Sequence, residues 1–407
     1  MTKIYSLNNA ALSRPVADYG FASVEEFVAA KKPSRPLYVL WPERITATTK
    51  AFLAAFPGET MYAVKTNPDE NALRAIYHAG VRSFDAASIE EVRLVRKISK
   101  KARIYFMHPV KSPEAIREAY TQHNVRDFVL DCEDELFKIV RETELASDLN
   151  LYVRLALPRN GKSAIDFSSK FGASPDEAMK LLKSSRPVAQ RLGLCFHVGT
   201  QTTDPAAYAR GIDRAAAVIR KSGVTVDVLD VGGGFPVRYD DSVPSVEACV
   251  HTLKGALAKN RLENMPLLAE PGRVLVAESG SLVVRVELRK GNTLYINDGT
   301  YGGLFDAGPL LKTKFPVRAY RAEQEFEPGE AAFRLAGPTC DSLDIMEGPF
   351  MLPTDIDMGD WIEIKNLGAY SRSLRTNFNG FGGSDLVCLY DSGMKPVAKK
   401  KAVKNIL

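Results

Sequence analysis

"MYAVKTNP", residues 61 to 68, sets a strand-forming run directly against a cation. Met61 to Val64 suit a buried strand, Lys65 follows, and Thr66, Asn67 and Pro68 stop the strand. A lysine at a strand end is most often simply solvated. The sequence around this one argues for more. Further apolar runs follow as far as residue 273: "VRSFDAAS", "RIYFMHPV", "DFVLD", "NLYVRLAL", "LGLCFHVG", "VTVDVLDVGGG" and "PLLAEPGR". Between most of them lie amphipathic patterns such as "SIEEVRLVRKISK" and "PAAYARGIDRAAAVIRKSG", and "ERITATTKAFLAAF" precedes the first. Nearly all-apolar strands alternating with such helices indicate a parallel sheet buried on both faces. Eight of them predict a closed (β/α)8 barrel over residues 43–274 rather than an open doubly wound sheet.

Beyond residue 275 the pattern changes. "SLVVRVELRK", "TLYIND", "PVRAYR", "AAFRLAG", "DWIEIKN" and "DLVCLY" are strand-like runs separated by Gly, Pro and Asp turns. No long amphipathic helix intervenes, so residues 275–407 read as a mostly antiparallel β domain. "RPLYVLWP" lies before the barrel pattern, and residues 1–42 are expected to return to that β domain and complete it.

The 407 residues are 45% hydrophobic and 25% charged, an ordinary globular composition for two such domains. Net charge is +5, but the lysines and arginines are scattered, and the run Lys399-Lys400-Lys401 reads as a solvated tail. Without a basic stripe or a recognisable module, no nucleic-acid partner is expected. No apolar run is long enough to span a bilayer, so no membrane partner is expected. "MTKIYSLNNAALSRP" lacks an apolar signal core. Five scattered cysteines without ligand or redox spacing fit a reducing compartment and no metal site. A cytoplasmic location is expected.

Barrels of this kind collect chemistry at the C-terminal ends of their strands. Those ends carry Lys65, Asp85, His108, Asp131, Arg154, His197, the glycines 232 to 234, and Glu270 with Arg273. Each has a bland reading. Glu91 stands three residues after Ser88, the spacing of a capping box. His197 alone would read as a core histidine. Together they describe a polar basin at one mouth of the barrel. Consecutive glycines let backbone N–H groups approach an anion, and Gly232-Gly233-Gly234 match neither a dinucleotide nor an ATP loop. A lone phosphate is the expected guest, with Arg273 able to pair with it bidentately. A lysine facing such a site beside a carboxylate and a histidine suits a Schiff base with pyridoxal phosphate. Burial is expected to depress the amine's pKa for that purpose.

The motifs "YAVKTN", "FDAAS", "KFG", "HVGTQ", "DVGGGFP", "EPGR", "NDGTYG", "GPTCDSLD", "GDW", "GAY" and "FNGF" then stand in order from residue 61 to about 382. In kind and order they resemble the ornithine decarboxylase group of fold-type III pyridoxal-phosphate enzymes. The resemblance implies that Lys65 carries the cofactor, that His197 stacks on its ring, and that Glu270 hydrogen-bonds the pyridine nitrogen. A carboxylate there keeps the ring a good electron sink and favours decarboxylation over racemisation. It also implies that Gly234, Arg273 and Tyr370 hold the phosphate, with Gly232, Gly233 and Gly272 at the same cradle. Thr200 falls where the family usually has a serine, and Gln201 where it usually has a glycine. Asp85, Glu91 and Arg154 match polar residues lining the pocket.

The resemblance makes Cys340 the residue that protonates the carbanion after CO2 loss, and Asp341 the carboxylate for the substrate's distal ammonium. In the family both enter the partner subunit's site, which implies a homodimer with shared active sites. Phe378 resembles another contributor across that interface. Asp306, in "GLFDAG", is the candidate second carboxylate for the ammonium. Aspartate rather than glutamate after the cysteine points away from diaminopimelate. The implied reaction is decarboxylation of L-ornithine, with L-lysine as a second substrate, to putrescine or cadaverine in polyamine biosynthesis. Alternatives are a longer basic substrate such as arginine or carboxynorspermidine, and an inactive regulatory homologue. The presence of Lys65, His197, Glu270, Arg273 and Cys340 counts against the inactive homologue.

Overall fold

The computed structural model describes residues 21–158, 170–239 and 242–390. The first twenty residues and the basic tail at 399–401 lie outside them. Strand β1 (Leu37–Leu40) precedes eight strands that close on themselves. These are β2 (Glu59–Ala63), β3 (Ser83–Ala86), β4 (Arg103–Phe106), β5 (Asp127–Leu130), β6 (Asn150–Leu155), β7 (Arg191–Phe196), β8 (Val228–Asp230) and β9 (Leu267–Ala269). Each pairs in parallel with the next, and β9 closes on β2, as in the expected barrel.

Alternation along the strands fills the inside. Met61, Tyr105, Val129, Tyr152, Cys195, Val228 and Leu268 converge in one buried cluster. Gly193 makes room for it: a Cβ there would stand 2.4 Å from Cδ1 of Tyr152. Toward the N-terminal ends of the strands a polar plug follows. Arg103 pairs with Asp127 at 2.7 Å, and the Tyr105 hydroxyl donates to Glu59 at 3.0 Å. Outside, the apolar faces of the helices meet the sheet. Four of those helices start on serine caps, Ser88, Ser112, Ser174 and Ser245, each accepting from the N–H three residues on. Such a cap is worth about 1 kcal/mol.

The second domain is built on β10 (Gly280–Lys290), β11 (Thr293–Ile296), β12 (Val317–Tyr320), β13 (Glu330–Ala336), β14 (Ile345–Pro353), β15 (Trp361–Ile364) and β16 (Asp385–Cys388). The order is β12-β15-β10-β11-β13-β14, and β1 joins it antiparallel to β10 and parallel to β16. Five of the seven pairings are antiparallel. Strand β14 is absent from the sequence reading because Gly348-Pro349 reads as a turn. A proline is tolerated there because β14 lies at the edge of the sheet.

Candidate active site

At the C-terminal mouth of the barrel is a cavity of about 190 Å³. Its lining includes Lys65, Arg154, His197, Thr200, Gly234, Glu270, Gly272, Arg273 and Tyr370, together with Met107, His108 and Phe171. With Ala87 after β3, the structure thus gathers residues from seven barrel-strand ends and one from the β domain. Strand β2 stops at Ala63, earlier than expected, and a single 3-10 turn (Val64–Thr66) swings Lys65 into the cavity. Asn67 anchors that turn by donating to the Gly368 carbonyl at 2.8 Å. Tyr370 is tied to the same turn by its own N–H, 2.9 Å from the Thr66 carbonyl. That bond holds Tyr370 at φ +54, a conformation L residues seldom adopt.

Lys65 Nζ lies 3.1 Å from Oδ2 of Asp85, which is only 2% exposed. Desolvation alone would lower the pKa of the amine, as the sequence suggested. The lysine side chain is 43% open, however, and desolvation, though the largest single cause, is outweighed by Asp85, Tyr370 and Glu270 together. The net shift is upward, so the expected depression is corrected: in this arrangement Lys65 is an ammonium paired with Asp85. Glu91 sits just behind. Its N–H donates to Ser88 Oγ at 3.2 Å, and its carboxylate accepts from the Ala87 N–H at 2.7 Å. The Ser88 contact is the expected cap, but Glu91 does not line the cavity; burial and the nearby Asp85 push its pKa up to about 7.

Burial drives the His197 pKa well below its usual value, and Arg154 and Lys65 add to this, so the ring is neutral. Its Nδ1 accepts the Gly199 N–H at 3.0 Å, which leaves the proton on Nε2. Glu270 lies buried beside Asp230. Burial first, and then that neighbouring carboxyl, raise its pKa far above the carboxylate range. Asp230 is pushed up to about 6, again chiefly by burial. Burial and nearby carboxylates thus shift both carboxyls at the cavity floor toward their neutral forms.

The glycine run is shaped by contact. A Cβ on Gly233 would stand 2.5 Å from the Glu270 carbonyl oxygen and 3.1 Å from His197 Nε2. Gly234 has φ +89, and its Cβ would meet the Gly199 carbonyl oxygen at 2.3 Å. Gln201 holds this loop from the other side. Its amide donates to the Val237 carbonyl at 2.7 Å and accepts the Val237 N–H at 3.0 Å. Gln201 has φ +50, which explains why glycine suits the position and shows what the longer side chain adds. Arg273, 8% exposed, carries a buried Nε with no hydrogen-bond partner. Its guanidinium lies 4.8 Å from the Tyr370 ring.

Cys340, Asp341 and Phe378 do not line this cavity. They sit together on an exposed face of the β domain. The Cys340 N–H donates to Asn379 Oδ1 at 3.1 Å, the Tyr301 hydroxyl donates to Asp341 at 2.5 Å, and the Tyr301 and Phe378 rings are 5.0 Å apart. Asp306 is absent from the lining too: it is buried against Arg273, 2.6 Å from Nη1. His108 and Phe171, with ring centroids 5.2 Å apart, form a cavity wall; His108 stood among the strand ends of the expected basin without a role in the site, and Phe171 was not read as a site residue. The position of His108 near a strand end was the available signal.

These features fit pyridoxal phosphate: a reachable lysine, a neutral imidazole, a carboxyl at the floor, and glycines with an unpartnered arginine edge for a phosphate. Comparison with known proteins agrees. The family described as pyridoxal-dependent decarboxylase, pyridoxal binding domain, matches residues 43–277, and the chain belongs to it. The chloroplastic ornithine decarboxylase of Nicotiana glauca is 32% identical over 378 residues, covering 87% of this chain and 83% of its own. Two solved structures share the fold. The arginine decarboxylase of Paramecium bursaria Chlorella virus, bound to agmatine, has a TM-score of 0.78 at 27% identity, covering 90% of this chain and 99% of its own. The lysine/ornithine decarboxylase of Vibrio vulnificus, complexed with putrescine, has 0.76 at 29%, covering 91% and 99%. The protein is a pyridoxal-phosphate-dependent amino-acid decarboxylase of the ornithine decarboxylase type.

Proposed function

We propose that the enzyme decarboxylates L-ornithine, and L-lysine less well, in a homodimer whose active sites are shared. Bound pyridoxal phosphate supplies the electron sink for the pair left when CO2 departs. This chain supplies the rest. Lys65 holds the cofactor, His197 covers its ring, Gly232, Gly233, Gly234, Gly272, Thr200, Arg273 and Tyr370 receive its phosphate end, and Glu270 holds a proton at the cavity floor. Arg154 and Asp85 set the charge around the lysine.

The observation that carries the substrate assignment is the Cys340-Asp341 pair on its exposed face. The Leu343 N–H and the Tyr301 hydroxyl hold Asp341 below the usual carboxylate range, so it is ionised and ready for an ammonium. Leu343, Phe378 and Phe381, 57%, 41% and 46% exposed, surround it with apolar surface suited to a second copy. Seated on that copy's cavity, Asp341 would meet the distal end of a substrate, and Cys340 would deliver a proton to the carbon that lost CO2. The relatives named for ornithine and lysine support this class.

Release of CO2 from L-ornithine, L-lysine, L-arginine and meso-diaminopimelate tests the assignment. Ornithine should show the highest kcat/KM. Lysine should fall below it within the roughly 10–200-fold that one methylene commands. Diaminopimelate should be poor, because its distal carboxylate would face Asp341. The Chlorella virus relative puts arginine on the panel, and an arginine preference would refute the assignment. No described helix is long and apolar enough to cross a membrane, and a cytoplasmic site of action is part of the proposal.

A further inference from the structure

Arg273 approaches the cavity from one side only. Its Nη1 points away from the cavity, to Asp306 Oδ2 at 2.6 Å and the Tyr239 hydroxyl at 3.5 Å. Neither Asp306 nor Tyr239 lines the cavity. Asp306 is carried by a short 3-10 turn (Phe305–Ala307) and is 5% exposed. Its loop is fixed by its own hydrogen bonds: Asp298 accepts the Gly303 N–H at 3.0 Å, and Thr313 donates to the Asp306 carbonyl at 2.8 Å. The Nε edge of the guanidinium is left unpartnered in the buried wall.

We propose that Asp306 is the resident counter-ion of the cofactor-phosphate arginine rather than a carboxylate for the substrate's ammonium. This rests on the reading of Arg273 as a phosphate ligand. A buried guanidinium without a partner is strongly unfavourable. Asp306 neutralises it while the site is empty and fixes the plane of the guanidinium through Nη1, so that the Nε–Nη2 edge faces an incoming phosphate. The same carboxylate opposes a dianion a few ångströms further on. Asp306 therefore tempers phosphate affinity as it positions the arginine. A second consequence concerns the substrate. With this carboxylate engaged, recognition of the distal ammonium falls to Asp341.

The test is cofactor binding to the apo protein, followed by absorbance, for pyridoxal 5'-phosphate and for pyridoxal, which lacks the phosphate. Asp306→Asn keeps an acceptor for Nη1 and removes the opposing charge. It should tighten pyridoxal phosphate roughly tenfold, the scale of one like charge removed from a partly buried site. Pyridoxal affinity and the KM for ornithine at saturating cofactor should stay within about twofold of wild type. A KM raised tenfold or more with both cofactor affinities unchanged would overturn the proposal and restore Asp306 to the substrate. If Asp306→Asn does not fold without cofactor, the neutral pair Arg273→Gln/Asp306→Asn should restore folding, and failure to do so also overturns the proposal. Arg273→Gln alone separates the two layers. Unchanged phosphate-dependent affinity would sink the phosphate reading itself. If that affinity is lost while Asp306→Asn alters nothing, only the counter-ion is refuted.

Discussion

Lys65→Ala should abolish the visible absorbance of the loaded enzyme and lower turnover by about 10⁴-fold, the upper end for loss of a positioned reactive group. The expectation rests on geometry. Lys65 lines the cavity and is delivered there by a turn that also anchors Tyr370. Its removal leaves Asp85 buried without its cation and the cofactor without a covalent tether. Lys65→Arg is the informative companion. It keeps a cation for Asp85 and so should preserve folding, but guanidinium is not a nucleophile at neutral pH. Both variants should lose activity, and only the alanine variant should lose stability. Lys170, 4.9 Å from the Phe171 ring of the same wall, is the neighbouring amine to watch. Borohydride trapping of cofactor on Lys170 in either variant, with activity retained, would contradict the assignment.

Glu270→Gln should cut decarboxylation about 100-fold or more while changing cofactor retention only a few-fold. Glutamine preserves volume and one acceptor, so the floor of the cavity keeps its shape. What disappears is a titratable carboxyl whose pKa burial and Asp230 raise. A group fixed where charge develops is worth about 3 kcal/mol in the transition state. The loss should fall on kcat, because the interaction strengthens only as the reaction proceeds. An unchanged kcat would mean that the carboxyl does not take part, and an equal loss with Asp230→Asn would assign the proton to the pair.

Much of the cavity was legible in the sequence because each barrel strand delivers a side chain at a predictable end. Lys65, His197, Glu270 and Arg273 needed only the apolar run before them to be placed at one mouth. Two kinds of information were hidden. One was electrostatic balance: from sequence, burial of Lys65 could be foreseen, but not that Asp85, 3.1 Å away, would reverse the shift together with Tyr370 and Glu270. The other was loop geometry. "GLFDAG" gives no hint that its aspartate turns inward onto Arg273, because the loop's own hydrogen bonds are local while the partner of the side chain lies 33 residues earlier. Strand β14 was lost for a related reason, since a Gly-Pro turn signal is overridden at a sheet edge. The helix Val24–Lys31, capped by Ser23, also goes beyond the single strand read near the N-terminus.

The central claim is that the cavity holding Lys65 is completed by Cys340 of a second copy, and subunit mixing tests it most directly. Lys65→Ala and Cys340→Ala chains, each nearly inactive, are combined in equal amounts and allowed to exchange, with exchange verified by differently tagged chains. In a hybrid dimer one site carries both lesions and the other carries neither. Random exchange makes about half of the dimers hybrids, each with one good site of two, so activity should recover to roughly one quarter of wild type. If Lys65 and Cys340 served the same site from one chain, every site would keep a lesion. Mixing would then restore nothing, and the shared site would be refuted.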